Sequence, residues 1–246
     1  QLVITYPDSA QVRYIFNTAG LLEKVEQKES GGSYANVVSN FDYSPVSTPT
    51  TIAYVNGVTT TNTYDATKSY RLSAKTSING ASSNLQNTAY TYDANNNITQ
   101  IIDASNTDGS KTANYTYDDL NRLLTATITA VAAGQSTYTH TYAYSAIGNI
   151  TSGPVGTYVY GGSGGSLYAN PHAATSINGV TNTYNKNGDN LTDGTLTNTW
   201  NYKDQLTRTV NGGTTVDYLY DFTSDRSSYT DGTTTTDYAN KYYNYN

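Results

Sequence analysis

The sequence predicts an all-β protein, a repetitive antiparallel β-hairpin meander that forms a curved or spiral open sheet. Three observations carry this expectation. Tyr (26 residues) and Thr (42 residues) dominate the composition, and both favour pleated, half-buried surfaces. One nine-residue phrase recurs along the chain, and fixed-period self-similarity marks a repeat architecture. Asn-Gly and Asp-Gly pairs fall between its copies, and such pairs supply the positive φ values of tight hairpin turns.

Composition also excludes function classes. Leu, Ile, Val and Phe make up only 41 of 246 residues, a share at which a highly charged chain stays disordered. Here only 13% of residues are charged and the net charge is −6. That acidic balance, with Lys and Arg scattered, argues against a nucleic-acid partner held by phosphate contacts. Cysteine is absent, which removes disulfides, thiol chemistry and Cys-based zinc sites. No apolar run approaches the roughly 20 residues of a membrane-spanning helix. The chain opens at Gln1 with no signal-peptide pattern, and reads as a processed chain or a part of something larger.

The phrase runs aromatic, any residue, aromatic, Asp or Asn, two residues, Gly or Asn, a polar residue, then an aliphatic. It first reads Tyr14-Ile15-Phe16-Asn17-Thr18-Ala19-Gly20-Leu21-Leu22. It returns from Tyr90 through Tyr92 and Asp93 to Ile98, from Tyr115 through Tyr117 and Asp118 to Leu123, and from Tyr142 through Tyr144 and Gly148 to Ile150. Looser copies centre on Tyr64-Asp65, Tyr184-Asn185 with Gly188, Trp200-Asn201, and Tyr218-Leu219-Tyr220-Asp221. Tyr90 to Tyr115 is 25 residues and Tyr115 to Tyr142 is 27, steps regular enough for one repeating unit.

Each place in the phrase has a physical task. The first and third rings point to one side of a strand, because side chains alternate with period two. The fourth residue bonds its own backbone two residues on and begins a turn. The seventh takes positive φ, which Gly and Asn tolerate best. The ninth opens the returning strand. These residues are therefore expected to be structural anchors. Opposite ends of the hairpins are marked by Asn56-Gly57, Asn79-Gly80, Asp108-Gly109, Asn178-Gly179, Asp193-Gly194, Asn211-Gly212 and Asp231-Gly232. The usual strand-plus-turn spacing then gives roughly 18–20 strands. Residues 1–246 form a single array of about seven to nine units, irregular at 31–52 and 153–172, with no separate catalytic domain. Leu21 to Lys28 is expected as a strand. Two copies are expected to be irregular: Asp189 adds a residue after Gly188, and Lys203 with Asp204 disturbs the Trp200 unit.

Tyr-x-Tyr-Asp-x-x-Gly-Asn/Arg-Leu resembles the hallmark of YD repeats, also called Rhs repeats. The run His172 to Gly179, the stretch Tyr184 to Leu206, and Tyr218 to Asp221 followed by Arg226 resemble the last units of that family. The resemblance is strongest from Tyr90 onward and weakest between Gly31 and Ile52. It implies a section of a YD-repeat β-shell, as in bacterial toxin shells that enclose a cargo and in teneurin-like surface proteins. The family's Asp-Pro-x-Gly self-cleaving signature is not found, since none of the five Pro residues follows an Asp. At 4.8 Å per strand, ~18 strands make a ribbon roughly 85 Å long, and a closed ring of it would be about 27 Å across. Such a ring is too narrow for a folded cargo, so this chain is expected to be one section of a container.

Candidate chemistry is sparse. Asp118 and Asp119 are neighbours that point apart, and the turn explains Asp118. His140 lies among tyrosines and His172 follows Pro171, a loop position. Gly161 to Ser166 precedes no helix and reads as a flexible loop. Asn185 to Asp189 has the alternating oxygens of a calcium loop but lacks the bidentate Glu. Asn97, Asn114, Asn149 and Asn190 match the glycosylation acceptor pattern. No cofactor, metal site or enzyme activity is expected.

The function expected is a non-catalytic scaffold, extracellular (secreted or at the cell surface), whose partners are flanking repeats or a toxin or cargo domain of a larger protein. The alternatives are a glycan-binding adhesion module built on exposed rings, or a fibre subunit that assembles through free strand edges.

Overall fold

A computed structural model describes residues 1–81, 83–105, 110–130, 136–161, 170–240 and 243–245. The Asp108-Gly109 turn and the Gly-rich loop from residue 162 lie outside the described residues. The described chain is all-β, with a single 3₁₀ turn at Ala66–Lys68. It divides into two units, Gln1–His140 and Thr141–Asn246.

The first unit carries one sheet. Its strands are β1 (Leu2–Thr5), β2 (Gln11–Phe16), β3 (Leu22–Lys28), β4 (Ala35–Tyr43), β5 (Pro49–Tyr54) and β6 (Thr59–Asp65). They continue as β7 (Arg71–Ile78), β8 (Asn84–Tyr92), β9 (Ile98–Asp103), β10 (Lys111–Tyr117), β11 (Leu123–Ala130) and β12 (Tyr138–Thr141). The second sheet holds β13 (Ala143–Tyr144), β14 (Ile150–Gly153), β15 (Gly156–Val159), β16 (Ser176–Ile177), β17 (Val180–Tyr184) and β18 (Asn190–Asp193). It ends with β19 (Leu196–Trp200), β20 (Leu206–Asn211), β21 (Thr214–Tyr220), β22 (Arg226–Asp231), β23 (Thr234–Asn240) and β24 (Tyr243–Tyr245). In both sheets every strand neighbours its sequence neighbours. The sheets are open, not barrels.

Among the described residues the strands number 24, rather than the expected 18–20. Part of the excess comes from two-residue strands such as β13 and β16, which spacing arguments pass over. Of the expected strand from Leu21 to Lys28, Leu22–Lys28 extends as β3 and Leu21 lies just outside it. The run Tyr138 to Tyr144 is interrupted at Tyr142, between β12 and β13.

Two expected irregularities are absent. Tyr184 pairs with Asn190 and Trp200 with Leu206, each across a five-residue turn. Tyr117 pairs with Leu123 in the same way. Asp189 is therefore the ordinary eighth residue of its unit, with Asn190 in the aliphatic place. Asp204 is the seventh residue of the next, at φ 57°.

The sheets lack a conventional core. Among the described residues the buried apolar side chains are Val38 and Ala126, and no side chain is completely buried. The buried polar set is larger: Thr60, Thr88, Ser105, Asn149, Thr175, Asn182, Ser228 and Thr236. Strands such as β19 alternate half-buried Leu196, Asn198 and Trp200 with exposed Thr197 and Thr199. Cross-strand threonine pairs, such as Thr116 with Thr125 (2.6 Å) and Thr183 with Thr192 (2.6 Å), bond hydroxyl to hydroxyl. Pairs of this kind contribute roughly 0.2–1 kcal/mol each. With so little apolar burial, hydrogen bonding has to specify the fold.

The hairpin ends opposite the aromatic turns are of mixed type. Asn178 and Gly179 both have positive φ between the paired Ile177 and Val180, the two-residue turn expected of Asn-Gly. Asn79-Gly80 departs from that expectation. There Asn79 caps a wider loop, its Oδ1 accepting from the amides of Ala81 and Ser83. Asn56-Gly57 also sits in a wider loop, closed by the Tyr54 amide donating to the Val58 carbonyl at 2.9 Å.

Candidate functional site

The feature most densely built from the recurring residues is a series of aromatic corners, one where each phrase turns. The fourth residue organises the turn. Asp93 Oδ1 accepts from the amides of Asn95 (2.9 Å) and Asn97 (2.8 Å). Asp118 accepts from Leu120 and Arg122 (both 2.9 Å), and Asn17 from Ala19 and Leu21 (both 3.0 Å). Asn185, Asn201 and Asp221 repeat the arrangement. The seventh residue takes positive φ throughout: Gly20, Asn96, Asn121, Gly148, Gly188, Asp204 and Ser224. The Tyr64 unit is the exception. Its turn is two residues longer, holds the 3₁₀ turn, and places Ser69 and Tyr70 at positive φ in succession.

The third residue reaches beyond its own turn. Tyr92 Oη donates to the Leu72 carbonyl at 2.7 Å, and Tyr117 Oη to the Ile98 carbonyl at 2.7 Å. Trp200 Nε1 donates to the Asn190 carbonyl at 2.8 Å, and Tyr220 Oη to the Leu206 carbonyl at 2.9 Å. Tyr43, Tyr64, Tyr160 and Tyr184 donate in the same way to Leu22, Pro49, Ile150 and Ala174. In most of these bonds the acceptor is the residue that opens the returning strand of the preceding corner. A shift in strand register of the β-bulge kind falls at seven of these eight rings, all but Tyr160, between Thr91 and Tyr92 for example. It bends the strand and raises its local twist, which carries the ring back over its neighbour.

A second donor joins at three corners. Asn62 Nδ2 donates to the Pro49 carbonyl that Tyr64 uses, Asn182 to the Ala174 carbonyl, and Asn198 to the Asn190 carbonyl. These are corners whose first aromatic is replaced by Asn. The signal was present as Asn-Thr-Tyr-Asp, Asn-Thr-Tyr-Asn and Asn-Thr-Trp-Asn. Tyr43 and Tyr160 were also missed, because their units lie in the stretches read as irregular. Turn tips are bridged as well: Asn97 Nδ2 reaches Asn121 Oδ1 at 2.7 Å and Asn187 Nδ2 reaches Asp204 Oδ1 at 2.7 Å.

The remaining sequence candidates are placed as follows. Tyr14, Tyr90, Tyr115, Tyr142 and Tyr218 are half-buried, and Phe16 is exposed. His140 lies beside Tyr138 with ring centroids 4.8 Å apart. His172 Nδ1 is 2.6 Å from Asn149 Oδ1, while Asn149 Nδ2 donates to the Pro171 carbonyl. Asn149 is thus buried and engaged at both ends of its amide. Asn114 is exposed, and Asn97 and Asn190 are half-buried. In the calcium-like stretch, Asn185 Nδ2 donates to Asp189 Oδ2 at 2.7 Å. Among the described residues no group of three or more His, Asp or Glu side chains is arranged for a metal. No helix of the described residues is long and apolar enough to cross a membrane.

Titration follows from this geometry. Burial pushes the phenols of Tyr43, Tyr92, Tyr117 and Tyr160 above their ordinary value. Their folded pKa is raised, so the stability they contribute is complete below about pH 10 and is lost as pH rises through the folded values. A tyrosinate also has no proton to donate to a carbonyl. Sheet circular dichroism and tyrosinate absorbance are therefore expected to change together, in one steep transition above about pH 10. Independent tyrosine titration with the sheet intact would contradict this. At the acid end, hydrogen bonds hold Asp93 (from Asn97 first), Asp118 (from the Arg122 amide first) and Asp221 (from Thr223 first) below the usual carboxylate range. Their contribution is present above about pH 4 and is lost as pH falls through the lowered values.

No protein-family profile matches the chain, and no curated protein matches it. Solved structures do. A chain of the Photorhabdus luminescens Tc holotoxin pore matches with a TM-score of 0.75 and 18% identity, over 96% of this chain and 13% of that one. The structure of TcdB2–TccC3 without its hypervariable C-terminal region matches with a TM-score of 0.70 and 18% identity, again over 96% and 13%. TcdB2–TccC3 itself gives 0.62 and 15%, over 96% and 14%. This chain spans about one seventh of those chains or slightly less, and at such identity the likeness is one of fold: a repeated hairpin array shared with parts of Tc toxin assemblies.

Proposed function

We propose that the chain is a non-catalytic section of a YD-repeat β-shell that encloses or presents another element of a larger, exported protein. The observation that carries this reading is the corner bond repeated from unit to unit. The recurring rings and turn residues hold each hairpin to the one before it, which is the work of a wall. The fold likeness to chains of Tc toxin assemblies supports a container, and the family resemblance of the phrase points the same way. The partner on this reading is a flanking segment of the same protein, shielded by further repeats.

Limited proteolysis of the full-length protein tests it. A segment outside the repeats should resist protease at neutral pH and become sensitive once the array is opened at high pH. Immediate digestion of every flanking segment, with the repeats intact, would overturn the enclosing role. A fibre reading draws on the edge strand β1, where Leu2 and Val3 are 54% and 39% exposed beside unpaired backbone groups. Gel filtration separates the two, since a monodisperse monomer leaves no fibre.

A further inference from the structure

One pair of tyrosines is set up for chemistry that the corners do not use. Tyr218 on β21 lies directly opposite Tyr229 on β22 in the strand register. Their ring centroids are 6.2 Å apart and their planes are inclined by 37°. Both side chains are half-buried, so they remain within reach of a small oxidant. Tyr229 Oη donates to Asp231 Oδ2 at 2.7 Å. The Arg226 guanidinium lies 5.8 Å from the Tyr218 ring centroid.

These neighbours divide the work of oxidation. A phenol that loses an electron becomes a strong acid, and a carboxylate already holding its hydrogen bond takes the proton in the same step. A cation over the other ring opposes electron loss there. Tyr229 is thus the easier of the two to oxidise, and Tyr218 is the ring that stands directly opposite it.

We propose that Tyr218 and Tyr229 are a dityrosine-forming pair, joined across the strands by a one-electron oxidant of the peroxidase and hydrogen peroxide class, with Asp231 as proton acceptor. Tyr229 gives one electron to the oxidant and its phenolic proton to Asp231. Tyr218 gives one electron to a second oxidising equivalent and its phenolic proton to solvent. A carbon–carbon bond forms between the two ring positions ortho to oxygen. The hydrogens at those carbons leave as protons while both oxygens are reprotonated. The net loss is two electrons and two protons, which convert one hydrogen peroxide into two waters. The product links β21 to β22 covalently, in a sheet with almost no apolar core.

The test is oxidation of the whole protein by a peroxidase with limiting hydrogen peroxide, followed by trypsin. Arg226 lies between the two tyrosines, so cleavage places them on peptides 209–226 and 227–241. The expected first product is these two peptides joined and two hydrogens lighter than their sum, from a chain that remains monomeric. Tyr229→Phe keeps the ring and should abolish that product with circular dichroism unchanged. Asp231→Asn should slow the onset of dityrosine fluorescence by about tenfold or more, as loss of a positioned base does. Linkages scattered among the other tyrosines, links mainly between chains, or an unchanged rate in Asp231→Asn would overturn the proposal.

Discussion

Gly156→Ala is expected to destabilise the second sheet by roughly 2–5 kcal/mol, the sum of backbone strain and overpacking. Gly156 has φ 131°, where L side chains are rarely found. A Cβ there would stand 2.5 Å from Asn178 Oδ1 and 2.8 Å from Asn178 Cβ. The second distance decides the outcome, because rotating the Asn178 side chain does not move its Cβ. Asn178 is itself fixed, at φ 50° in a tight turn with its amide donating to the Thr157 carbonyl at 2.7 Å. Two turns must therefore shift together. Gly232→Ala is the control: φ is 57° and nothing lies within 4 Å of the added carbon, so only about 1–2 kcal/mol of left-handed backbone cost is expected. Each unit contacts mainly its neighbours, and stability in such arrays is nearly a sum of local terms. Hydrogen exchange should accordingly show lost protection around β14–β17 in Gly156→Ala and around β22–β23 in the control. Equal effects of the two substitutions would refute the steric argument.

Trp200→Ala is expected to cost about 2–4 kcal/mol, below the 3–5 kcal/mol of a completely buried aromatic, because the ring is half-buried. It removes both the ring and the indole donor, leaving the Asn190 carbonyl to Asn198 Nδ2 at 3.2 Å. Trp200→Phe keeps most of the ring and loses the bond alone, for about 1 kcal/mol. Hydrogen exchange over β18–β20 reads the difference. The same variant separates wall from ligand platform. If Trp200→Ala left the protection of β18–β20 intact while abolishing binding on a glycan array, the ring would serve a sugar and not the sheet.

Much of the corner was legible in the sequence because turn chemistry is local. The capping carboxylate or amide, the left-handed seventh residue and the returning ninth residue all lie within a few positions of one another, so Asp118, Asn121 and Leu123 declare their turn directly. The same rule covers Asp204 and Ser224, which were less visible because left-handed Asp or Ser is rarer than Gly or Asn. What sequence reading missed is the bond between units. Tyr117 donates to the backbone carbonyl of Ile98, and a carbonyl is common to all residues, so nothing in the letters marks the acceptor. Asn62, Asn182 and Asn198 were overlooked for a related reason. They occupy an aromatic place, and only the shared acceptor shows that amide and ring do one job. The division into two units at residues 140 and 141 falls within a run of alternating rings and threonines, where the pattern gives no sign of a boundary.

The corner bonds have a direction. In each of the eight named above the carbonyl belongs to an earlier residue than the ring, as Leu72 precedes Tyr92 and Leu206 precedes Tyr220. During synthesis the amino-terminal residues leave the ribosome first, so each new ring emerges to find its partner already made. Folding can then advance hairpin by hairpin behind the ribosome, without waiting for the carboxyl terminus.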